Sequence, residues 1–418
     1  MSRSAVIELC RKRPVLRALS LAGALLASVL GVACRSTSAT IRAGLLLDGR
    51  GGEMRDAMIT VVGGRITSVA PWNGTAPTYD LSRYTVLPGL IDAHVHLNGF
   101  FNQQGRLAST DDGESAAQHD AERATAALAT LRAGFTTVAS MGAEAEKPLR
   151  DQIKRGRAVG PRILTSLAQI RDTTLTPDSL RRVVRAHAAE GADFIKVFAS
   201  GPLATGGKPM YTEAQLTAVC DEARRHHLRS VVHAHDDASV RAAVAAGCTE
   251  VEHGVYASDS TLALLAARGV WFDPQCDLVI ANYLDNRAHF EGPNFYDSSA
   301  FAVLARVRPL LPALLRRALA TPGLKVLYGT DATAGAHGRD GEDLICRVRQ
   351  AGDSPMDALI AATSRNAEAL GLGREIGTIA PGYRADLIAL DGNPLEEIEA
   401  VRRVRFVMKG GVVFRHDL

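Results

Sequence analysis

Eight short apolar segments recur through the middle of this 418-residue chain, and helix-like stretches fall between most of them. The segments are Thr85–His94, Thr136–Met141, Arg162–Leu167, Asp193–Ala199, Ser230–His235, Thr249–His253, Val270–Pro274 and Lys325–Thr330. Short apolar runs of this kind read as strands covered on both faces. The stretches between them carry helix punctuation. Thr176-Pro177 opens one helix that Gly191 stops, Thr212 with Gln215 makes a capping-box pattern, and Gly247 and Gly269 end the next two. Eight β–α units in series predict a (β/α)8 barrel of the TIM type, a fold whose chemistry sits at the C-terminal ends of its strands.

Both ends of the chain read differently. Ile41 to Leu47 is apolar, and Met58 to Val62 faces Ile66 to Val69 across Gly63-Gly64. Near the C-terminus, Ala385 to Leu390 is strand-like, and Arg405 to Met408 faces Val412 to Phe414 across Gly410-Gly411. The expected organisation is therefore a small, β-sandwich-like domain built from residues 34–82 and 376–418, around an α/β barrel over 83–375.

Residues 1–33 read as a signal peptide. Five basic groups and one acid precede or enter the apolar run Ala18 to Leu30, which is short for a membrane span. Gly31-Val32-Ala33-Cys34 resembles a bacterial lipoprotein cleavage site, with Gly31 where Leu is usual. Lipidation at Cys34, simple cleavage after Ala33 and a retained anchor all stay open. Each implies export, to the periplasm or as a membrane-anchored lipoprotein. The formal charge of +3 comes from this segment; the remainder carries 43 basic and 44 acidic residues. That balance argues against nucleic acid as a partner. Cys220, Cys248, Cys276 and Cys346 have no metal-site spacing and allow either free thiols or disulfides in any of three full pairings.

The chemistry-bearing residues cluster at predicted strand ends. His94 and His96 close an apolar run, and alternation along a strand points both the same way. Two imidazoles so placed make half of a metal site. Lys196 lies inside an apolar strand, which is costly unless the amine is paired or modified. His233, His253 and Asp331 close three further strands, with His235 two residues beyond His233. Candidate substrate contacts are Tyr211, His235, His337 and Arg339, the last suited to a carboxylate by its bidentate geometry. Tyr283, Phe290, Phe295, Tyr296 and Phe301 fall in one excursion, either a lid or an ordinary packed loop.

His94-Val95-His96, Lys196, His233, His253 and Asp331, in that order, resemble the metal ligands of the amidohydrolase superfamily. The resemblance runs from about Gly44 to the C-terminus. Leu131-Arg132-Ala133-Gly134-Phe135-Thr136-Thr137, Gly160-Pro161-Arg162 and Ala385-Asp386-Leu387 support it. It is nearest to the imidazolonepropionase-like and prolidase-like branch, whose members include dipeptidases and hydrolases of N-acyl amino acids such as ochratoxin. The resemblance implies two divalent ions, usually Zn2+. His94, His96 and Asp331 would hold one ion, His233 and His253 the other, and Lys196 would bridge them as N6-carboxylysine. Asp331 would serve as general acid/base. Relatives often carry Tyr at the second place of the His233/His235 pair, which favours His233 as the ligand.

The implied activity is hydrolysis of an amide bond in a small molecule, a dipeptide or an N-acyl amino acid. A cyclic amide such as an imidazolone is the alternative, with an ester or lactone behind it. A non-catalytic binding lipoprotein that keeps the barrel is the reading from another class. A homo-oligomer and a membrane tether through Cys34 are the further partners entertained. The loop after Arg162 lacks the Gly-Gly-His stretch of many relatives, so a substrate-contacting histidine found in them has no counterpart here.

Overall fold

The computed structural model describes residues 38–292 and 296–418. The expected signal segment, Cys34 and Phe295 lie outside the described residues.

At the N-terminal side, β1 (Ser38–Leu47) pairs antiparallel with β2 (Glu53–Val62). β2 turns through Gly63-Gly64 into β3 (Arg65–Pro71), with Val62 opposite Arg65. β4 (Tyr79–Pro88) runs parallel to β1. Next come β5 (Leu90–Val95), β6 (Phe135–Ser140) and β7 (Arg162–Thr165), a three-stranded parallel sheet. A six-stranded parallel sheet follows in chain order: β8 (Gln169–Ile170), β9 (Phe194–Phe198), β10 (Arg229–Ala234), β11 (Glu250–His253), β12 (Trp271–Asp273) and β13 (Lys325–Val326). The last strands are β14 (Leu387–Leu390), β15 (Val404–Lys409) and β16 (Val412–His416).

Both termini build one sheet, in the order β16-β15-β14-β4-β1-β2-β3. A single hydrogen-bonded sheet of seven strands stands where two sandwich layers are expected. β14 pairs with β4 as well as β15, which carries the ladder across from one chain end to the other. Ile41, Ile59, Leu81, Val86, Leu387 and Phe406 form its buried side.

The two parallel sheets touch at both edges. Asp193 N–H donates to the Thr165 carbonyl at 2.9 Å, and Ala93 N–H donates to the Tyr328 carbonyl at 3.0 Å. Helices fill the crossovers, and their ends follow the sequence signals. Thr176 caps the helix Pro177–Glu190, which stops at Gly191 in the left-handed region at φ 87°. Thr212 and Gln215 form the reciprocal capping box of the helix Glu213–Arg225.

Two expected strands change. The segment Thr85–His94 divides at Gly89, with β4 in the terminal sheet and β5 in the parallel one. Pro88 has no N–H to continue a ladder. A Cβ at Gly89 would stand 2.2 Å from Thr136 Oγ1, so only glycine lets β5 pack there. The segment Lys325–Thr330 is ladder only over Lys325–Val326. Further on, the Asp92 carboxylate accepts from both Thr330 N–H (3.1 Å) and Thr330 Oγ1 (2.6 Å), a side-chain partner added to the long contact of the same N–H with the His94 carbonyl.

The four cysteines pair as Cys220–Cys248 and Cys276–Cys346. The first ties the helix Glu213–Arg225 to the start of β11. The second ties the segment after β12 to the helix Glu342–Arg349.

Candidate metal centre

His94 sits near the end of β5 and His96 just past it, so strand alternation brings both rings to one side. Their Nε2 atoms lie 3.4 Å apart. Asp331 Oδ1 stands 3.3 Å from His94 Nε2 and 2.9 Å from His96 Nε2. Asp331 is held there by its own backbone, whose N–H donates to the His94 carbonyl at 2.7 Å. Three donor atoms thus converge on one point.

His233 in β10, His235 just beyond it and His253 at the end of β11 form a second group, each offering a ring nitrogen within 4.8 Å of the others'. Ring centroids are 4.5 Å apart for His233 and His253, and 5.2 Å apart for His253 and His94, so the two groups adjoin. His235 therefore joins the cluster that the sequence assigns to His233 and His253.

Lys196 lies in the middle of β9, opposite Val231 of β10 and Gln169 of β8. It is 1% exposed, and its Nζ has no hydrogen-bond partner among the described residues. Burial pushes its amine below the usual lysine range, against the pull of Glu252 and Asp331. Burial likewise lowers His96, and lowers His233 and His253 strongly, which keeps their ring nitrogens neutral and available as ligands. For Asp331 burial works upward, but His94 and His96 outweigh it and hold the carboxyl well below its ordinary range.

A second layer of polar side chains orients these rings. Glu252 Oε2 meets His94 Nδ1 at 2.5 Å, and Gln275 Oε1 meets His253 Nδ1 at 2.7 Å. Each contact leaves the Nε2 atom facing the centre. Asp273 lies 3.9 Å from His94 Nδ1 and accepts from Gln275 Nε2 at 3.1 Å. Glu252, Asp273 and Gln275 escape the sequence analysis. Strict alternation would put Glu252 and His253 on opposite faces of β11. His253 has φ 71°, a left-handed backbone, and this break in the alternation brings both to one centre. Asp331 is also left-handed, at φ 56°. Strain of this kind, about 1–3 kcal/mol per residue, is retained mainly at functional sites.

The centre opens into a cavity of about 440 Å³. Leu203, Val255, Val279, Ile280, Leu304 and Leu311 give it an apolar wall, and Tyr283 and Tyr296 line it as well. The aromatic excursion thus borders the site, with Phe290 and Phe301 packed behind it. Arg171 lines the cavity too, and nothing in its local sequence marks it out.

Three expected substrate contacts lie elsewhere. Tyr211 packs in the core with Leu180, Leu216 and Val240, where burial pushes its phenol up to about 12. The loop before Tyr211 is closed by the antiparallel bridge Ser200–Pro209, and Leu203 inside that loop reaches the cavity. His337 is occupied by the Gly99 carbonyl, 2.9 Å from its Nε2. Arg339 belongs to the turn that leads into the helix Glu342–Arg349, and neither it nor His337 lines the cavity.

Comparison with known proteins identifies the family. The model of the amidohydrolase family matches residues 85–414. The chain is 27% identical over 432 aligned positions to ochratoxinase from Aspergillus niger, covering 90% of this chain and 86% of that one. A crystal structure of a Xaa-Pro dipeptidase with bound methionine superposes at a TM-score of 0.82 with 26% identity, over 91% of this chain and all of that one. A prolidase complexed with N-methylphosphonate-L-proline superposes at 0.81, also with 26% identity and over 91% and 100% of the two chains.

Proposed function

The chain belongs to the amidohydrolase family and is a hydrolase of carbon–nitrogen bonds, and from that premise we propose a metal-dependent hydrolase of dipeptides or N-acyl amino acids. The observation that carries the proposal is the convergence, in one cavity, of five histidines, Asp331 and a buried lysine amine without a partner among the described residues. A protonated amine there would repel any cation, and a neutral one would waste a buried polar group.

The donor set fits two divalent ions. Imidazole and carboxylate oxygen are the ligands zinc takes. His94, His96 and Asp331 would hold one ion, with His233 and His253 on the other and His235 beside them. Lys196 would bridge them as N6-carboxylysine, which turns an unpartnered amine into an anion with two oxygens. Bound divalent ions supply acidity to water and polarise a carbonyl.

The chain's own residues do the rest. Asp331 accepts a proton from the attacking water and delivers it to the leaving nitrogen, so that water adds to the amide carbon as the C–N bond breaks. Glu252 and Gln275 hold the His94 and His253 rings in one tautomer. The apolar wall and the two tyrosines exclude solvent and receive the substrate's side chains. The parallel strands β5 to β13, with the short β7 and β8 counted together as the third strand, form a closed (β/α)8 barrel in this reading, supported by the hydrogen bonds at both sheet edges. The described residues up to Pro88 and those after 375 make the appended domain.

Both disulfides fit an exported protein, since such bonds persist in oxidising compartments. Export through residues 1–33, with Cys34 as a lipid attachment point, is part of the proposal. Mass spectrometry of the native N-terminus tests it: a lipidated Cys34 or a free residue after Ala33 supports export, and an intact Met1 in a cytosolic fraction refutes it.

The activity is tested with zinc-loaded protein on a panel of dipeptides, N-acyl amino acids and cyclic amides. Turnover of the first two groups is expected. Turnover of cyclic amides alone overturns the substrate assignment, and bound metal without any turnover overturns catalysis.

A further inference from the structure

Arg171 is a cation in the cavity wall that no acid among the described residues pairs with. It follows β8, and its Nε donates to Gln169 Oε1 at 2.8 Å, its only side-chain hydrogen bond among the described residues. Gln169 is tied in turn to the Met141 carbonyl. The guanidinium carbon lies 3.7 Å from the centroid of the Phe198 ring. That same ring stacks on His233 at 4.4 Å and lies 5.6 Å from Lys196 Nζ. The arginine is therefore fixed on an aromatic platform one ring away from the candidate metal ligands.

Several other arginines meet acids: Arg123 meets Asp120, Arg229 meets Glu250, and Arg347 meets Asp353. Arg171 joins no ion pair among the described residues, and Pro293, Asn294 and Phe295 carry no carboxylate. The Phe198 ring holds the guanidinium by a favourable cation–π contact, and an incoming carboxylate adds a charge-assisted pair to it. The contact with Gln169 uses Nε and leaves Nη1 and Nη2, the paired donors that match a carboxylate in bidentate fashion.

We infer that Arg171 clamps the free carboxylate of the amino acid released from the substrate, and so sets the specificity of this site. The inference rests on the hydrolase reading above and narrows it. The substrate is an N-acyl or N-aminoacyl derivative of an apolar amino acid with an unblocked carboxylate. Its side chain lies against the wall that includes Leu203, Val255 and Ile280. The amide and ester of the same amino acid are poor substrates.

The test compares N-acetyl-L-phenylalanine with N-acetyl-L-phenylalaninamide on the zinc-loaded wild type, Arg171→Met and Arg171→Lys. The wild type prefers the acid in kcat/KM. Arg171→Met lowers the acid-over-amide preference by about 10- to 100-fold, as loss of one charged hydrogen-bonding pair does. Arg171→Lys lies between, since it keeps the charge and loses the fork. An unchanged preference in Arg171→Met overturns the inference. A second measurement is independent of turnover. Calorimetry on chelator-treated protein should show N-acetyl-L-phenylalanine binding to the wild type and none to Arg171→Met. Equal binding, or none to either, overturns the clamp. If the wild type hydrolyses nothing in the panel, the hydrolase reading fails, and the calorimetric difference still decides the role of Arg171.

Discussion

Glu252 Oε2 lies 2.5 Å from His94 Nδ1, with both side chains closed to solvent. Burial pushes the Glu252 carboxyl well above its ordinary range, against the pull of the nearby Lys196. The Glu252–His94 pair sets which nitrogen of His94 faces the metal centre. Glu252→Gln should therefore weaken metal retention by about 10- to 100-fold, the usual effect of losing a partner behind a metal-ligating histidine. Titration with a chelating dye, followed by metal analysis of the dialysed protein, measures this. Retention equal to the wild type would remove Glu252 from the centre.

Lys196→Ala should lose one metal ion or both, and with them nearly all activity. Bicarbonate or a short carboxylic acid added to this variant should restore part of the turnover by supplying a bridging anion. Elemental analysis alongside the rate assay separates the bridging role from a packing role. Two ions per chain with near-normal activity would exclude the bridge.

The disulfide Cys276–Cys346 bears on the site as well as on stability. Cys276 follows Gln275, and the Asp343 carboxylate accepts from the N–H groups of Cys276, Asp277 and Leu278. Replacing both cysteines by serine should cost roughly 2–5 kcal/mol in urea unfolding. Activity should fall too, because Gln275 loses its fixed hold on His253. A thiol titration of the denatured wild type should find Cys220, Cys248, Cys276 and Cys346 all blocked.

Lys409 gives a pH signature away from the metal centre. Its Nζ donates to the Gly160 carbonyl, and it is pushed down to about 8 from an ordinary 10.5, first by burial and then by Arg162. Between those values the unfolded chain binds more protons than the folded one. Stability contributed by this group therefore rises with pH across that window. Lys409→Met should lack this rise. Urea midpoints of both proteins at about pH 7.5 and about pH 9.5 check the difference, and parallel changes in the two would refute it.

Much of the architecture is legible in one dimension because its signals are local. Strand alternation puts His94 and His96 on one side, capping residues mark the helices at Thr176 and Thr212, and Gly63-Gly64 and Gly410-Gly411 mark the terminal hairpins. The residues brought together at the centre, His94, His96, Lys196, His233, His253 and Asp331, are likewise visible as polar groups at the ends of apolar runs or within them. Tertiary structure decided what depends on a partner distant in sequence. Pairing of Cys220 with Cys248 and of Cys276 with Cys346 is set by which helices and strands adjoin. Glu252 reaches His94 beside His253 only because the backbone turns left-handed at the end of β11. Tyr211, His337 and Arg339 leave the cavity because core packing, the Gly99 carbonyl and a turn into a helix claim them first. Arg171 enters it because Phe198, 27 residues further along the chain, provides the surface on which its charge lies.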